Sequence, residues 1–193
     1  MTTNGLTLAR HAADYRRAGL QRVNVSLDSL ESATFKRMTG VDGLDRVLSG
    51  IDAAIGAGLV PIRLNTVVLA GENDRELPEL VRFAAARGME IRFIELMPMG
   101  PLADQWTQRY VAESQMRQRI DPIVEHWQPL EQGHDSARRF TLGLDDGSTA
   151  TVGFITPMSC NFCAACNRLR LTSDGRIYPC LMDEPRGSFL SAV

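Results

Sequence analysis

From residue 6 to about residue 98 the apolar positions switch repeatedly between helical and extended spacing. Residues 6–19 place apolar side chains at helical intervals and stop at Gly19. Residues 21–28 alternate instead, with Val23, Val25 and Leu27 on one side and Asn24, Ser26 and Asp28 on the other. Helices are predicted over 29–38 and 43–59, the second closing on Gly58, followed by a β-branched extended run over 60–71. A helix over 73–88, with Asn73 or Asp74 as N-cap and Gly88 as terminator, leads into a strand over 89–98.

Strands that alternate with helices through short connections pair in parallel by right-handed crossovers. Three such strands cannot close a barrel, so they form an open sheet or part of a larger one. In parallel α/β sheets ligands gather at the carboxyl ends of the strands. Those ends carry Ser26 and Asp28, then Asn65 and Thr66, then Glu95 and Met97. Beyond Gly100 the alternation stops. A helix is expected over 112–120 with Ser114 as a cap, then a hairpin over 137–158 turning at Asp145, Asp146 and Gly147. A second hairpin spans 168–180 around Ser173, Asp174 and Gly175. The reading is a parallel α/β layer over 1–100 and an α+β tail over 101–193 that folds across it.

Composition narrows the function classes. The 21 basic and 23 acidic residues leave a net charge of −2, so nothing draws the whole molecule to nucleic acid or to an anionic membrane, and anion binding needs a local cluster of cations. No apolar run approaches the ~20 residues of a membrane span, and the first residues lack the apolar centre of a secretory signal. All four cysteines fall within residues 160–180, which does not resemble a disulfide framework and fits a reducing cytoplasm.

Cys163 and Cys166 form a C-x2-C pair, and the hairpin that follows returns the chain so that Cys180 can reach the same site. Cys160 offers a second C-x2-C with Cys163. Two metals compete: four thiolates suit a closed structural zinc site, whereas three suit an iron–sulfur cluster with one iron left open. Arg168 and Arg170 alternate on a strand and share a side, where two guanidiniums can grip a phosphate-like anion. The plainer reading makes the arginines a solvated strand face and the cysteines structural.

The stretch "FCAACNRLRLTSDGRIYPCL" resembles the second cluster motif of the GTP 3′,8-cyclase family, radical S-adenosylmethionine (SAM) enzymes that begin molybdenum-cofactor biosynthesis. "TTNG", "RVNVSLDSL", "LNTVVLAGEND" and "IRFIELMPMG" are similar to further pieces of that family in the same order, so the resemblance runs from residue 2 to about 182. It implies the second half of a partial (βα)6 TIM-like barrel followed by an α+β cluster-binding tail. In the family a first 4Fe–4S cluster cleaves SAM to a radical that takes hydrogen from the ribose C3′ of GTP, and C3′ then bonds to guanine C8. A second 4Fe–4S cluster, held by three cysteines, holds the purine on its open iron. Carried onto this chain, those ligands are Cys163, Cys166 and Cys180, and Cys160 is left as a free, inert thiol. Thr2, Arg63, Arg168, Leu169 and Arg170 fall on GTP contacts, and Ser26 and Met97 on SAM contacts. Arg63 stands where the family usually has lysine, which keeps the charge and changes its geometry. Asn65 and Glu95 sit at the same mouth with no role implied. The arginines directly behind the C-x2-C separate this family from peptide-modifying radical SAM relatives.

The family's C-x3-C-x2-C and Gly-Gly-Glu-Pro motifs and its Gly-Gly tail have no counterpart here. "MTTNG" sets turn chemistry at the very first residues. The expectation is a fragment that does not cyclise GTP alone and whose partners, besides GTP and SAM, are the missing N-terminal half of the barrel or an equivalent chain. A homodimer is compatible with it; nucleic acid and membrane are not expected partners.

Overall fold

The alternation of polar and apolar positions becomes two chemically distinct faces of one sheet. The computed structural model describes residues 1–131, 135–160, 166, 169–180, 182–183 and 187–188. In chain order the first layer is β1 (Thr2–Thr3), α1 (Leu8–Arg17), β2 (Val23–Ser26), α2 (Ser32–Thr39), α3 (Leu44–Gly56), β3 (Ile62–Val68), α4 (Leu77–Ala85) and β4 (Glu90–Glu95). Next come a 3-10 turn (Gly100–Gln105), α5 (Trp106–Arg109), α6 (Glu113–Ile120), β5 (Val124–Pro129), β6 (Arg138–Leu144) and β7 (Thr149–Ile155). A small sheet of β8 (Arg170–Leu171), β9 (Arg176–Tyr178) and β10 (Gly187–Ser188) follows.

The large sheet has the order β1-β2-β3-β4-β7-β6-β5. Strands β1 to β4 and β7 run parallel, while β6 and β5 are antiparallel additions. The mixed α/β class and its parallel layer are therefore as the sequence predicts, in an open sheet. Two features differ. The parallel set has five strands rather than three, because β1 pairs with β2 and β7 pairs with β4. The tail also does not simply lie across the layer: β7 extends it edge to edge, which satisfies the backbone groups along the outer side of β4. The hairpin turn forms at Asp145–Gly147 as expected, with Gly147 at φ +79°, a conformation that favours glycine. The α4 helix starts at Leu77, later than predicted. Asn73 is spent on tertiary bonds instead of capping, accepting from Leu69 N at 2.8 Å and donating to the carbonyls of Asp28 and Val67 at 2.7 and 2.9 Å. Likewise α6 begins at Glu113, and the Gln115 side chain, not Ser114, accepts from Ala112 N.

Val23, Val25, Ile62, Leu64, Ile91, Phe93, Val152 and Phe154 are buried on the face covered by α1, α3, α4 and α6. Phe93, Phe154, Phe140 and Trp127 meet ring to ring, so one aromatic cluster joins β4, β7, β6 and β5. No helix among the described residues is long and apolar enough to cross a membrane.

The opposite face is polar. Buried Arg92 donates to Glu90 Oε1 at 2.5 Å and bidentately to Asp135 at 3.0 and 2.5 Å. Gly153, in register with Arg92, leaves room for that stem: an added Cβ would lie 3.3 Å from Arg92 Cγ and 3.2 Å from Ala137 Cβ. Burial opposes the Arg92 charge, but its hydrogen bonds and the negative charges of Asp135 and Glu90 outweigh burial and hold its pKa above the ordinary arginine value. Asp135 is the mirror case. Burial pushes its carboxyl up, and Arg92 more than offsets this and holds it below the ordinary value.

A depressed carboxyl binds fewer protons in the folded than in the unfolded chain, so its contribution is complete above the unfolded pKa of about 3.9 and vanishes as pH falls through the folded value. Asp135→Asn should lower stability at pH 7 by about 1–3 kcal/mol and flatten the loss of stability between roughly pH 5 and 3. Urea titrations across that range measure both; an unchanged acid slope would contradict the assignment.

Candidate active site

Cross-strand register gathers three of the sequence-predicted site residues, Thr2, Ser26 and Arg63, onto the polar face. Partners in adjacent strands project to the same side, so one row runs Thr2, Asn24, Arg63, Glu90, Thr151. Two residues closer to the carboxyl ends, the next row runs Ser26, Asn65, Arg92, Gly153. Thr2, Arg63 and Ser26 therefore share a face, and Ser26 lies at the carboxyl end of its strand. The Arg63 Nε is buried, sits 3.4 Å from Glu90 Oε2 without hydrogen-bond geometry, and has no hydrogen-bond partner among the described residues. Glu90 is already held by Arg92 and has Arg139 at 3.9 Å. Arg63 thus shares its nearest counter-charge with two other arginines of this face.

Met97 lies two residues beyond β4, in a tight turn where its carbonyl accepts from Met99 N at 2.8 Å. The preceding carbonyl, of Leu96, accepts from the Trp106 indole N–H at 2.7 Å. Asp28, just past β2, accepts from Val67 N at 2.9 Å; burial pushes its carboxyl up, partly countered by that bond.

Sequence reasoning left Glu95 without a role, and the structure gives it one. It ends β4 with 1% of its surface exposed. Its Oε2 accepts from the backbone N–H groups of Met158 and Ser159 at 3.0 and 2.9 Å. Its Oε1 accepts from Tyr110 Oη at 3.0 Å, from Glu113 N at 3.1 Å and from Ser159 Oγ. All five partners donate, which suits an acceptor-only carboxylate. Burial, then the charge of Glu95, raises the Tyr110 pKa. The signal available beforehand was an acidic residue at a strand's carboxyl end inside an apolar run; its partners lay 15 to 64 residues away.

The cysteine run leaves the sheet immediately after this anchor. Thr156 Oγ1 donates to the Cys160 carbonyl at 2.9 Å, and the Cys160 thiol is free and exposed. Cys163 and Arg168 lie outside the described residues. Cys166 and Cys180 are free, exposed thiols, and Leu169 is 73% exposed. The second hairpin forms as predicted, with Arg170 opposite Tyr178. Cys180 follows Tyr178 by two residues, at the open end of that hairpin, and Cys166 precedes Arg170 by four residues in the sequence. Cys180 Sγ accepts from Met182 N at 3.4 Å, a donor of the kind that supports a ligating sulfur. Among the described residues no three His, Cys, Asp or Glu side chains are gathered as a metal site. Arg170 belongs to this small sheet, with Leu169 just before it, and neither lies in the rows of the large one.

The chain resembles known proteins along its length. Residues 1–84 match the model of the Radical SAM superfamily, and residues 89–193 match that of Molybdenum Cofactor Synthesis C. A GTP 3′,8-cyclase of Agrobacterium fabrum is 42% identical over 193 residues, covering 100% of this chain and 54% of the relative. One of Marinobacter nauticus is 44% identical over 187 residues, covering 95% and 55%, and one of Heliobacterium modesticaldum 42% identical over 185 residues, covering 94% and 55%. The chain spans about half the length of the curated relatives it matches. With residues 89–193, more than half of its length, inside the second of these models, the chain belongs to the Molybdenum Cofactor Synthesis C family, and its first half matches the radical SAM superfamily.

Proposed function

We propose that this chain is the substrate- and second-cluster-bearing portion of a GTP 3′,8-cyclase, which converts GTP to (8S)-3′,8-cyclo-7,8-dihydroguanosine 5′-triphosphate in the first step of molybdenum-cofactor biosynthesis. The observation that carries it is the clustering of Thr2, Arg63 and Ser26 on the polar sheet face, with Arg63 incompletely paired. A cation in that state is suited to an anionic substrate, since its Nε is already out of water and its local counter-charge is shared with Arg92 and Arg139.

In this reading Thr2, Arg63, Arg168, Leu169 and Arg170 bind GTP, with the arginines on its phosphates. Ser26 and Met97 contact SAM at the carboxyl ends of their strands. Cys163, Cys166 and Cys180 hold a 4Fe–4S cluster. The donor chemistry suits such a cluster, as Cys166 and Cys180 carry free, exposed thiols and the Cys180 sulfur already accepts an N–H. When bound, the cluster supplies an iron with a coordination position free for the purine. The polar face and the thiols otherwise orient the nucleotide. The chain carries no C-x3-C-x2-C motif, so radical generation from SAM calls for the N-terminal part of the barrel or an equivalent chain. A homodimer and a cytoplasmic setting accord with this reading.

Anaerobic reconstitution of the chain should give roughly four irons and four sulfides per molecule with the broad visible absorption of a 4Fe–4S cluster, lost in Cys180→Ser. Stoichiometric zinc without sulfide would instead make the segment a structural module. Arg170→Ala should weaken GTP binding by about ten- to a hundredfold, the scale of one charge-assisted contact, while leaving SAM binding unchanged. Calorimetry with each ligand separates the two; equal losses would contradict a phosphate role.

A further inference from the structure

Glu95 stands between two parts of the molecule that the proposed function gives to different cofactors. Immediately after it, the 96–99 turn carries Met97. That turn is held by the Trp106 indole on the Leu96 carbonyl at 2.7 Å. Trp106 packs on Tyr110 with ring centroids 4.9 Å apart, and Tyr110 Oη donates back to Glu95 at 3.0 Å. On the other side, both N–H groups of the turn leading to Cys160 donate to Glu95, as does the Ser159 hydroxyl. The Glu113 N–H, at the start of α6, closes the set.

We infer that Glu95 is a positioning residue: its buried carboxylate is the joint that fixes the turn carrying Met97 against the start of the cysteine segment, and so sets the spacing between the SAM side and the second-cluster side of the site. The consequence for cofactors rests on the proposed function; the joint itself does not. The physical reason is the donor count. Removing an acceptor shared by five donors leaves several buried groups unpaired together, so neither segment can shift alone without breaking bonds to the other. A purely local cap would engage one segment only. Glutamine in this place offers a single acceptor oxygen and turns its amide hydrogens toward donors.

The test uses this chain free of cluster, with spin labels at Cys160 and at Met99→Cys, and with Cys163, Cys166 and Cys180 changed to serine. The parent should give a narrow distance distribution between the labels. Glu95→Gln should broaden it and speed amide exchange at Met158 and Ser159 by roughly tenfold or more, with the Val152 amide still protected. Unchanged width, or unchanged exchange at 158 and 159, would overturn the joint. If Val152 also loses protection, the variant has loosened globally, and Tyr110→Phe and Ser159→Ala, which each remove one donor, decide: broadening with Val152 protected supports the joint, and parent-like width rejects it. A parallel preparation with its cysteines intact, reconstituted with iron and sulfide and reduced by one electron with dithionite, should show a broadened electron paramagnetic resonance line in Glu95→Gln. An identical line would remove the cofactor-spacing role. Failure of the parent to take up a cluster would refute the proposed function and with it that role, while the distance and exchange measurements would still judge the joint.

Discussion

The parallel pairing of β7 with β4 is the contact on which the rest of the structure depends. It joins residues 61 apart in the chain, after α5, α6 and an antiparallel strand pair have intervened, yet it runs in register from Glu90–Thr151 to Ile94–Ile155. Its apolar side is sealed by Phe93 against Phe154, and rings of this size contribute on the order of 3–5 kcal/mol when fully buried. Because the pairing is parallel, β7 ends on the same side as β2, β3 and β4. The segment leading to the cysteines therefore departs from the carboxyl edge of the sheet, where ligands of such sheets collect, and Glu95 can reach its first amides.

The same pairing explains the division of labour between the faces. Alternation along each strand sends one set of side chains under the helices and the other onto a polar face. On that face carboxylates and guanidiniums are interleaved rather than paired one to one: Glu90 lies near three arginines, and Asp135 takes the strongest grip on one of them. Arg92 is thereby fixed in place, while Arg63 keeps unspent capacity. Under the proposed function this arrangement favours a highly charged nucleotide, since fixed donors need no reorganisation when an anion arrives.

Much of this was legible in the sequence. The alternation Val23–Asn24–Val25–Ser26 gave strand and face at once, and the hairpins at Asp145–Gly147 and Ser173–Gly175 followed from turn chemistry. The resemblance in "FCAACNRLRLTSDGRIYPCL" led to the family that the match over 89–193 places on firm ground. Partner choice was not legible: alternation says that 149–155 is a strand and cannot say that its neighbour is β4. Thr2–Thr3 is too short to register as a strand without β2 beside it. The exposed, weakly patterned β5 gave no signal either. The roles of Glu95 and Asp135 escaped for one reason: each serves donors or cations distant in sequence, so nothing local marks it.

The central claim is that three thiolates leave an iron open on this chain and that nearby guanidiniums bring a nucleotide to it. Mössbauer spectroscopy of the chain reconstituted with iron-57, recorded before and after addition of GTP, tests it most directly. The account predicts one iron site distinct from the others, with parameters that change when GTP is added. A cluster whose irons are all equivalently coordinated and indifferent to GTP would contradict it.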